Sequence, residues 1–163
     1  MASPNQRRRL SIAAVLAVLT GAAILWALAL RSSRPTPATV SSLADASAIF
    51  ECDRAIVLVS VDWSPAPELS LEKLANLQAN APSWCQAGSV DFYMLRPEDD
   101  QQLNAWYKSL FNEYPQFALH GHGWGPFWWV KDGKIVDCES HPYAMTDVEL
   151  RERSIRALCE ATR

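Results

Sequence analysis

Residues 55–70 read AIVLVSVDWSPAPELS, an apolar run that leads into a tryptophan and two prolines. The run predicts a buried strand at 55–61, because a short, continuous apolar stretch rich in β-branched residues is typical of one. Pro65 and Pro67 suit the first turn of a following helix, where a missing backbone N–H costs little. The order strand, turn, helix places Trp63 in a loop where functional residues are often found.

The periodicity of the rest of the chain predicts alternating helices and strands closed by a hairpin. Helices are expected at 41–53, 69–80, 100–114 and 146–161, and further strands at 90–96, 127–131 and 134–139. Asp132-Gly133 separates the last two strands and is a strong hairpin signal. Parallel strands joined by helices and finished by an antiparallel hairpin make an α/β domain with a three-layer sandwich.

An uncharged apolar segment precedes this domain. The 21 residues from Leu10 to Leu30 contain no charge and no proline. As a helix they would be roughly 30 Å long, which is the thickness of a bilayer's hydrocarbon core. Arg7, Arg8 and Arg9 precede the segment, and this favours an amino terminus on the inside. We predict a single-pass membrane protein whose domain is periplasmic or extracellular. A cleaved signal peptide is the alternative.

Charge divides the chain into a basic amino-terminal part and an acidic domain. All 18 acidic residues lie at Asp45 or later, and from Pro35 onward they face 10 basic ones, a formal charge of −8. Such a domain repels phosphate backbones, so no nucleic-acid partner is expected. The predicted organisation is a basic amino terminus (1–9), a transmembrane anchor (10–30), a linker (31–40) and the α/β domain (41–163).

Two stretches resemble the thioredoxin-like family, and the resemblance covers roughly residues 41–163. Trp63, followed by four residues and a helix, resembles the family's Trp-Cys-x-x-Cys at the start of its longest helix. Gly125-Pro126, followed by FWWVKDGKIV, resembles the segment that holds the family's cis-proline and the hairpin after it. The resemblance implies a thioredoxin-like three-layer sandwich with a cis bond at Gly125-Pro126.

The redox chemistry of that family is missing from this chain. Ser64 and Pro67 take the positions of the two redox cysteines, and Leu58 takes that of the family's buried acid. Thiol–disulfide exchange needs a thiolate of lowered pKa and a second thiol that resolves the mixed disulfide. No catalytic residue is therefore predicted, and Ser64 is expected to cap the helix.

The resemblance also implies a groove in which an extended peptide pairs with exposed backbone. The expected groove residues are Trp63, Ser64, Trp124, Gly125 and Pro126. Aromatic rings of this kind commonly anchor peptides and proteins. Trp128 or Trp129 would add a further ring, and strand alternation points these two to opposite faces. The alternative is that the rings fill the core.

Four cysteines lie outside any Cys-x-x-Cys: Cys52, Cys85, Cys138 and Cys159. An even number in an exported domain predicts disulfides. Cys52 and Cys85 each precede one of two parallel strands, at the same end of the sheet, so Cys52–Cys85 is the expected bridge. Cys159, which ends the last helix at that end, is the competing partner of Cys85. In a domain facing the cytoplasm, all four would instead be reduced.

His120-x-His122, with His141 farther on, has no third ligand at a familiar metal spacing. No metal site and no cofactor are predicted. We expect a membrane-anchored, exported thioredoxin-like domain without dithiol redox activity, which acts as a protein- or peptide-binding or assembly module. The alternative is a thiol-disulfide oxidoreductase that uses cysteines outside the motif.

Overall fold

The computed structural model describes residues 36–85, 88–117 and 125–160. The expected anchor at 10–30 lies outside these residues. In the part that is described, no helix is long and apolar enough to cross a membrane. The segment from Pro35 to Arg163 forms one structural unit.

A mixed sheet of five strands lies at the centre of the domain, in the order β1-β3-β2-β4-β5. The strands are β1 (Ala38–Val40), β2 (Arg54–Val59), β3 (Asp91–Leu95), β4 (Phe127–Lys131) and β5 (Lys134–Glu139). The helices are α1 (Leu43–Glu51), α2 (Ala66–Trp84), α3 (Gln101–Glu113) and α4 (Asp147–Ser154), which continues as a π-helix over Ile155–Cys159. A short 3-10 turn at Pro142–Ala144 precedes α4. β1 and β2 pair in parallel with β3, and β4 pairs antiparallel with β2 and β5. The predicted α/β sandwich is confirmed.

Alternation along the strands divides the interior into two cores. Ala55, Val57 and Val59 of β2 face the core that contains α1 and α3. Ile56 and Leu58 face the core that contains α2 and α4. Both faces of β2 are therefore covered, which explains why its sequence is apolar without interruption.

Trp128 and Trp129 belong to the two cores and do not edge a groove. Trp128 stacks on Tyr107 of α3 with the ring centroids 5.7 Å apart. On the other face, the indole N–H of Trp129 donates to Ser154 Oγ of α4 at 2.9 Å. Both rings are fully buried. Their opposite orientation is confirmed, and for this pair the packing alternative is correct because β4 lies inside the sheet.

Local sequence signals mark the starts of three helices and the hairpin. Ser42, Asp100 and Thr146 each accept a backbone N–H in the first turn of α1, α3 and α4, as N-cap residues do. Asp132 and Gly133 have left-handed φ values of 50° and 72°. Two positive φ angles are what the tightest hairpin turn requires.

The predicted bounds of the linker and of the second helix are wrong. Residues 38–40 fall in the predicted linker 31–40 but form β1, because β3 supplies hydrogen-bonding partners that this short stretch cannot provide alone. The helix expected at 69–80 begins at Ala66 and runs to Trp84. Its last turns persist because Trp84 packs against the sheet, and tertiary packing commonly outweighs local propensity.

Candidate functional site

The turn between β2 and α2 presents Trp63 to solvent. The Trp63 side chain is 66% exposed, and its indole N–H donates to Glu98 Oε1 at 3.0 Å. Ser64 is half-buried, and its Oγ accepts the backbone N–H of Ala66 at 3.3 Å. The predicted N-cap role of Ser64 is wrong, because Pro65 holds the N-cap position and no side chain caps the start of α2. The turn offers an exposed ring at the start of a helix, with no thiol at either motif position.

Gly125 and Pro126 pack against the first turn of α2. The backbone N–H of Val59 donates to the Pro126 carbonyl at 3.1 Å. A Cβ on Gly125 would lie 3.0 Å from Pro67 Cα and 3.1 Å from Ser70 Oγ. Both Gly125 and Pro126 are buried. They fill the space beside the motif position, and the Pro126 carbonyl is already bound to β2.

The cis bond implied at Gly125-Pro126 is wrong. No peptide bond among the described residues is cis. Gly125 turns the chain into β4 with a φ of +66°, a left-handed value that glycine adopts without a steric penalty. Because Gly125 and Pro126 are buried, Trp63 and Ser64 are the residues of the predicted groove that are both described and accessible to solvent.

Several predicted residues lie outside the described part of the chain. They are Trp124, of the expected groove, and the pair His120 and His122. Among the residues that are described, no group of three or more His, Cys, Asp or Glu side chains is arranged to hold a metal ion.

A small groove lies beside the Trp63 turn, and we call it the motif groove. It has a volume of about 140 Å³, and its lining includes Val61, Asp62, Pro67, Glu68, Leu71 and Met94. Leu71 and Met94 also pack on the core below, so the floor of the groove is apolar. The sequence did not indicate this groove, because Met94 reaches it only through the pairing of β3 with β2.

Carboxylates dominate the surface around the motif groove. Asp62 accepts two hydrogen bonds from Arg96, at 2.9 and 3.1 Å. Arg96 also contacts Asp99 at 3.2 Å. Glu98 accepts the indole N–H of the turn, and Glu68 has no ion pair with another described residue. The described residues of this surface therefore include four carboxylates and one guanidinium, which leaves them with a net negative charge.

The position implied for the family's buried acid is apolar in the structure. Leu58 is fully buried, and a Cβ on Gly125 would lie 3.3 Å from its Cδ1. A hydrocarbon side chain cannot transfer a proton. The layer beneath the turn therefore serves packing.

The disulfide joins Cys85 to Cys159, with Cα atoms 6.0 Å apart, so the expected Cys52–Cys85 bridge is wrong. The sheet explains the difference. Cys85 and Cys159 pack in the core beside α2 and α4, whereas Cys52 packs in the core on the opposite face. Cys85 caps the carboxyl end of α2, a whole helix away from the Trp63 turn.

Cys52 and Cys138 remain as thiols. Burial, followed by the charge of Asp91, raises the pKa of the Cys52 thiol. Burial, followed by the charge of Asp137, raises the pKa of Cys138 to about 12. Both shifts disfavour the thiolate, which is the reactive form. Each thiol is partly buried against the core, in an environment that disfavours its reactive form.

The mixed sheet, the helices on both of its faces and the turn at the start of the longest helix define a thioredoxin fold. Solved structures agree. The chain is similar to a mutant thioredoxin from Halobacterium salinarum NRC-1, with a TM-score of 0.54, 12% identity, and coverage of 80% of this chain and 97% of the other. It is similar to a thioredoxin from Nicotiana alata, with a TM-score of 0.52, 16% identity, and coverage of 78% and 97%. A thioredoxin from Malassezia sympodialis gives a TM-score of 0.52, 14% identity, and coverage of 76% and 92%.

At these identities, the likeness shows the fold alone. No family model matches the sequence, and no curated protein matches it. The thioredoxin fold that the sequence resemblance implied is confirmed. What this chain does with it depends on its own side chains.

Proposed function

We propose that this protein is a membrane-anchored, exported thioredoxin-fold domain that performs no dithiol exchange and binds a protein or peptide segment. Binding uses the Trp63 surface, which we define as the exposed Trp63 ring together with the motif groove. The observation that carries the proposal is a large exposed ring, held by Glu98, at a turn whose motif positions are Ser64 and Pro67. Exposed aromatic rings with a polar handle are common anchors at protein interfaces.

The placement of the cysteines supports a role without redox chemistry. Cys85 and Cys159 hold helix ends together away from the Trp63 turn. The raised pKa values of Cys52 and Cys138 weaken both as nucleophiles. The competing function, an oxidoreductase that uses these cysteines, needs a thiolate of lowered pKa, but at Cys138 the effects of burial and Asp137 outweigh the opposing charge of Arg153.

The membrane part of the proposal combines the apolar stretch Leu10–Leu30 with the disulfide. Disulfides persist in oxidising compartments, so the Cys85–Cys159 bridge supports a domain outside the cytoplasm. Protease treatment of sealed vesicles of both orientations tests this topology. We expect cleavage of the domain only in vesicles whose extracytoplasmic face points outward.

Site-specific photo-cross-linking in the native membrane tests the binding role. A benzophenone amino acid replaces Trp63 in the full chain, and the matched control carries it at Val136, which is 40% exposed on β5. We expect a discrete cross-linked product from position 63 and none from position 136. The same pattern of products from both positions would remove the Trp63 surface from the proposal.

A disulfide-reduction assay tests the absence of dithiol activity. Insulin is the substrate, and the Ser64→Cys/Pro67→Cys variant is the positive control, since it restores two thiols to the motif positions. We expect the wild type to match the protein-free background and the double variant to exceed it. Activity of the wild type that is lost on Cys52→Ser or Cys138→Ser would favour the competing oxidoreductase.

A further inference from the structure

We propose that the motif groove accepts a lysine or arginine side chain of the partner, so that the Trp63 surface selects basic extended segments. This inference rests on the proposed function and names the chemistry of its partner. Lysine and arginine carry a long apolar stem and a charged end. The groove has the matching arrangement, with Leu71 and Met94 in its floor and the carboxylates of Asp62 and Glu68 in its lining.

The volume of the groove fits one such side chain. A groove of about 140 Å³ has room for the apolar stem of one lysine or arginine. A shorter partner side chain would leave Leu71 and Met94 partly uncovered.

The charges around the groove favour a cation. Asp62 and Asp99 both pair with Arg96, so one positive charge neutralises the two carboxylates only in part. Glu68 is exposed and forms no ion pair with another described residue. A partner's ammonium or guanidinium beside Glu68 would form an ion pair that no described side chain of this domain supplies. A partner carboxylate there would meet like charges.

The Trp63 ring offers a contact for a second basic residue of the partner. Its N–H is bound to Glu98 at 3.0 Å, which restricts the ring and places a negative charge at its edge. The faces of an exposed indole attract a cation through the ring quadrupole. Neighbouring basic residues on one extended segment would thus find both the groove and the ring.

Binding of defined peptide libraries to the full chain in zwitterionic nanodiscs tests the proposal. The fluorescent libraries are identical except for a central lysine, arginine, norleucine or glutamate. Norleucine keeps the lysine stem and lacks its charge. From one exposed ion pair with Glu68, we expect about threefold tighter binding of the lysine and arginine libraries than of the norleucine library. Glutamate should bind most weakly, and the differences should shrink in about 1 M salt.

Charge variants locate the preference. Glu68→Gln should remove the advantage of lysine over norleucine while norleucine binding stays the same. Glu152→Gln, which removes an exposed carboxylate from α4, should leave the advantage intact. Glu68→Lys should make the glutamate library bind more tightly than the lysine library. Trp63→Ala should weaken all four libraries.

The outcomes separate this inference from the proposed function. Equal binding of lysine, norleucine and glutamate libraries, lost in Trp63→Ala, would overturn the basic preference and leave peptide binding standing. A basic preference that survives Glu68→Gln would place the cation elsewhere and overturn the groove assignment. Failure of all libraries to bind would overturn both proposals.

Discussion

Loss of the Cys85–Cys159 bridge should strongly destabilise the domain. The two residues are 74 positions apart, and closing a loop of that length restricts the unfolded chain by about 4 kcal/mol in the chain-entropy treatment. Hydrogen bonds also hold the carboxyl end of the last helix, where Cys159 lies. Arg54 Nε donates to the Leu158 carbonyl at 3.0 Å, and Lys131 Nζ donates to the Glu160 carbonyl at 2.7 Å. We therefore expect Cys159→Ser to fold and to lose most of that free energy of unfolding.

Urea unfolding of residues 35–163, followed by tryptophan fluorescence, measures the loss. With a slope of about 2 kcal/mol per molar urea, the midpoint should fall by roughly 2 M. Reduction of the wild type with dithiothreitol should produce the same midpoint as Cys159→Ser. Cys52→Ser is the matched control and should keep both the higher midpoint and its sensitivity to dithiothreitol.

Two results would refute this reasoning. If Cys52→Ser abolished the effect of dithiothreitol and Cys159→Ser preserved it, the bridge would be the one first expected from the sequence. If dithiothreitol left the urea midpoints of both the wild type and Cys52→Ser unchanged, the domain would contain no stabilising disulfide. A thiol count provides an independent test of whether the bridge forms. The protein is taken from its native membrane and alkylated before and after reduction. Two thiols before reduction and four after are expected.

Two further predictions follow from the packing of the domain. Gly125→Ala should lower the free energy of unfolding by about 2–4 kcal/mol, since it combines a left-handed φ with a Cβ crowded by Pro67 and Ser70; a urea midpoint within error of the wild type would contradict the close approach. Cys138, with a pKa of about 12, should react with iodoacetamide at pH 8 roughly a thousandfold more slowly than in the urea-unfolded chain. Its rate, followed by peptide mass spectrometry, should still rise tenfold per pH unit at pH 9, and a plateau near pH 9 would show an unshifted thiol.

The sequence predicted those features that depend on neighbours along the chain. The Asp132-Gly133 turn specifies its hairpin because both residues tolerate a positive φ. Ser42 and Asp100 mark helix starts because a short polar side chain reaches the first free N–H groups. Alternation along a strand sends Trp128 and Trp129 to opposite faces. Each of these rests on backbone geometry over a few residues.

The candidate site was predicted in part. The sequence located the turn at Trp63 and the absence of thiols from it. It did not reveal that Gly125 and Pro126 are buried, since their burial depends on how closely the loop before β4 approaches α2. Nor did it reveal the motif groove, whose Met94 comes from a strand that is distant in sequence.

By itself, then, the sequence determined the order of the helices and strands after β1, the acidic character of the domain and the loss of the redox motif, because residue identity and local periodicity suffice for these. Only the tertiary structure decided which cysteine bonds to Cys85. Strand order predicted the end of the sheet at which Cys52, Cys85 and Cys159 would gather, but a disulfide also requires the same face. That face depends on which helix covers it, and the two cores are separated by the full thickness of the sheet.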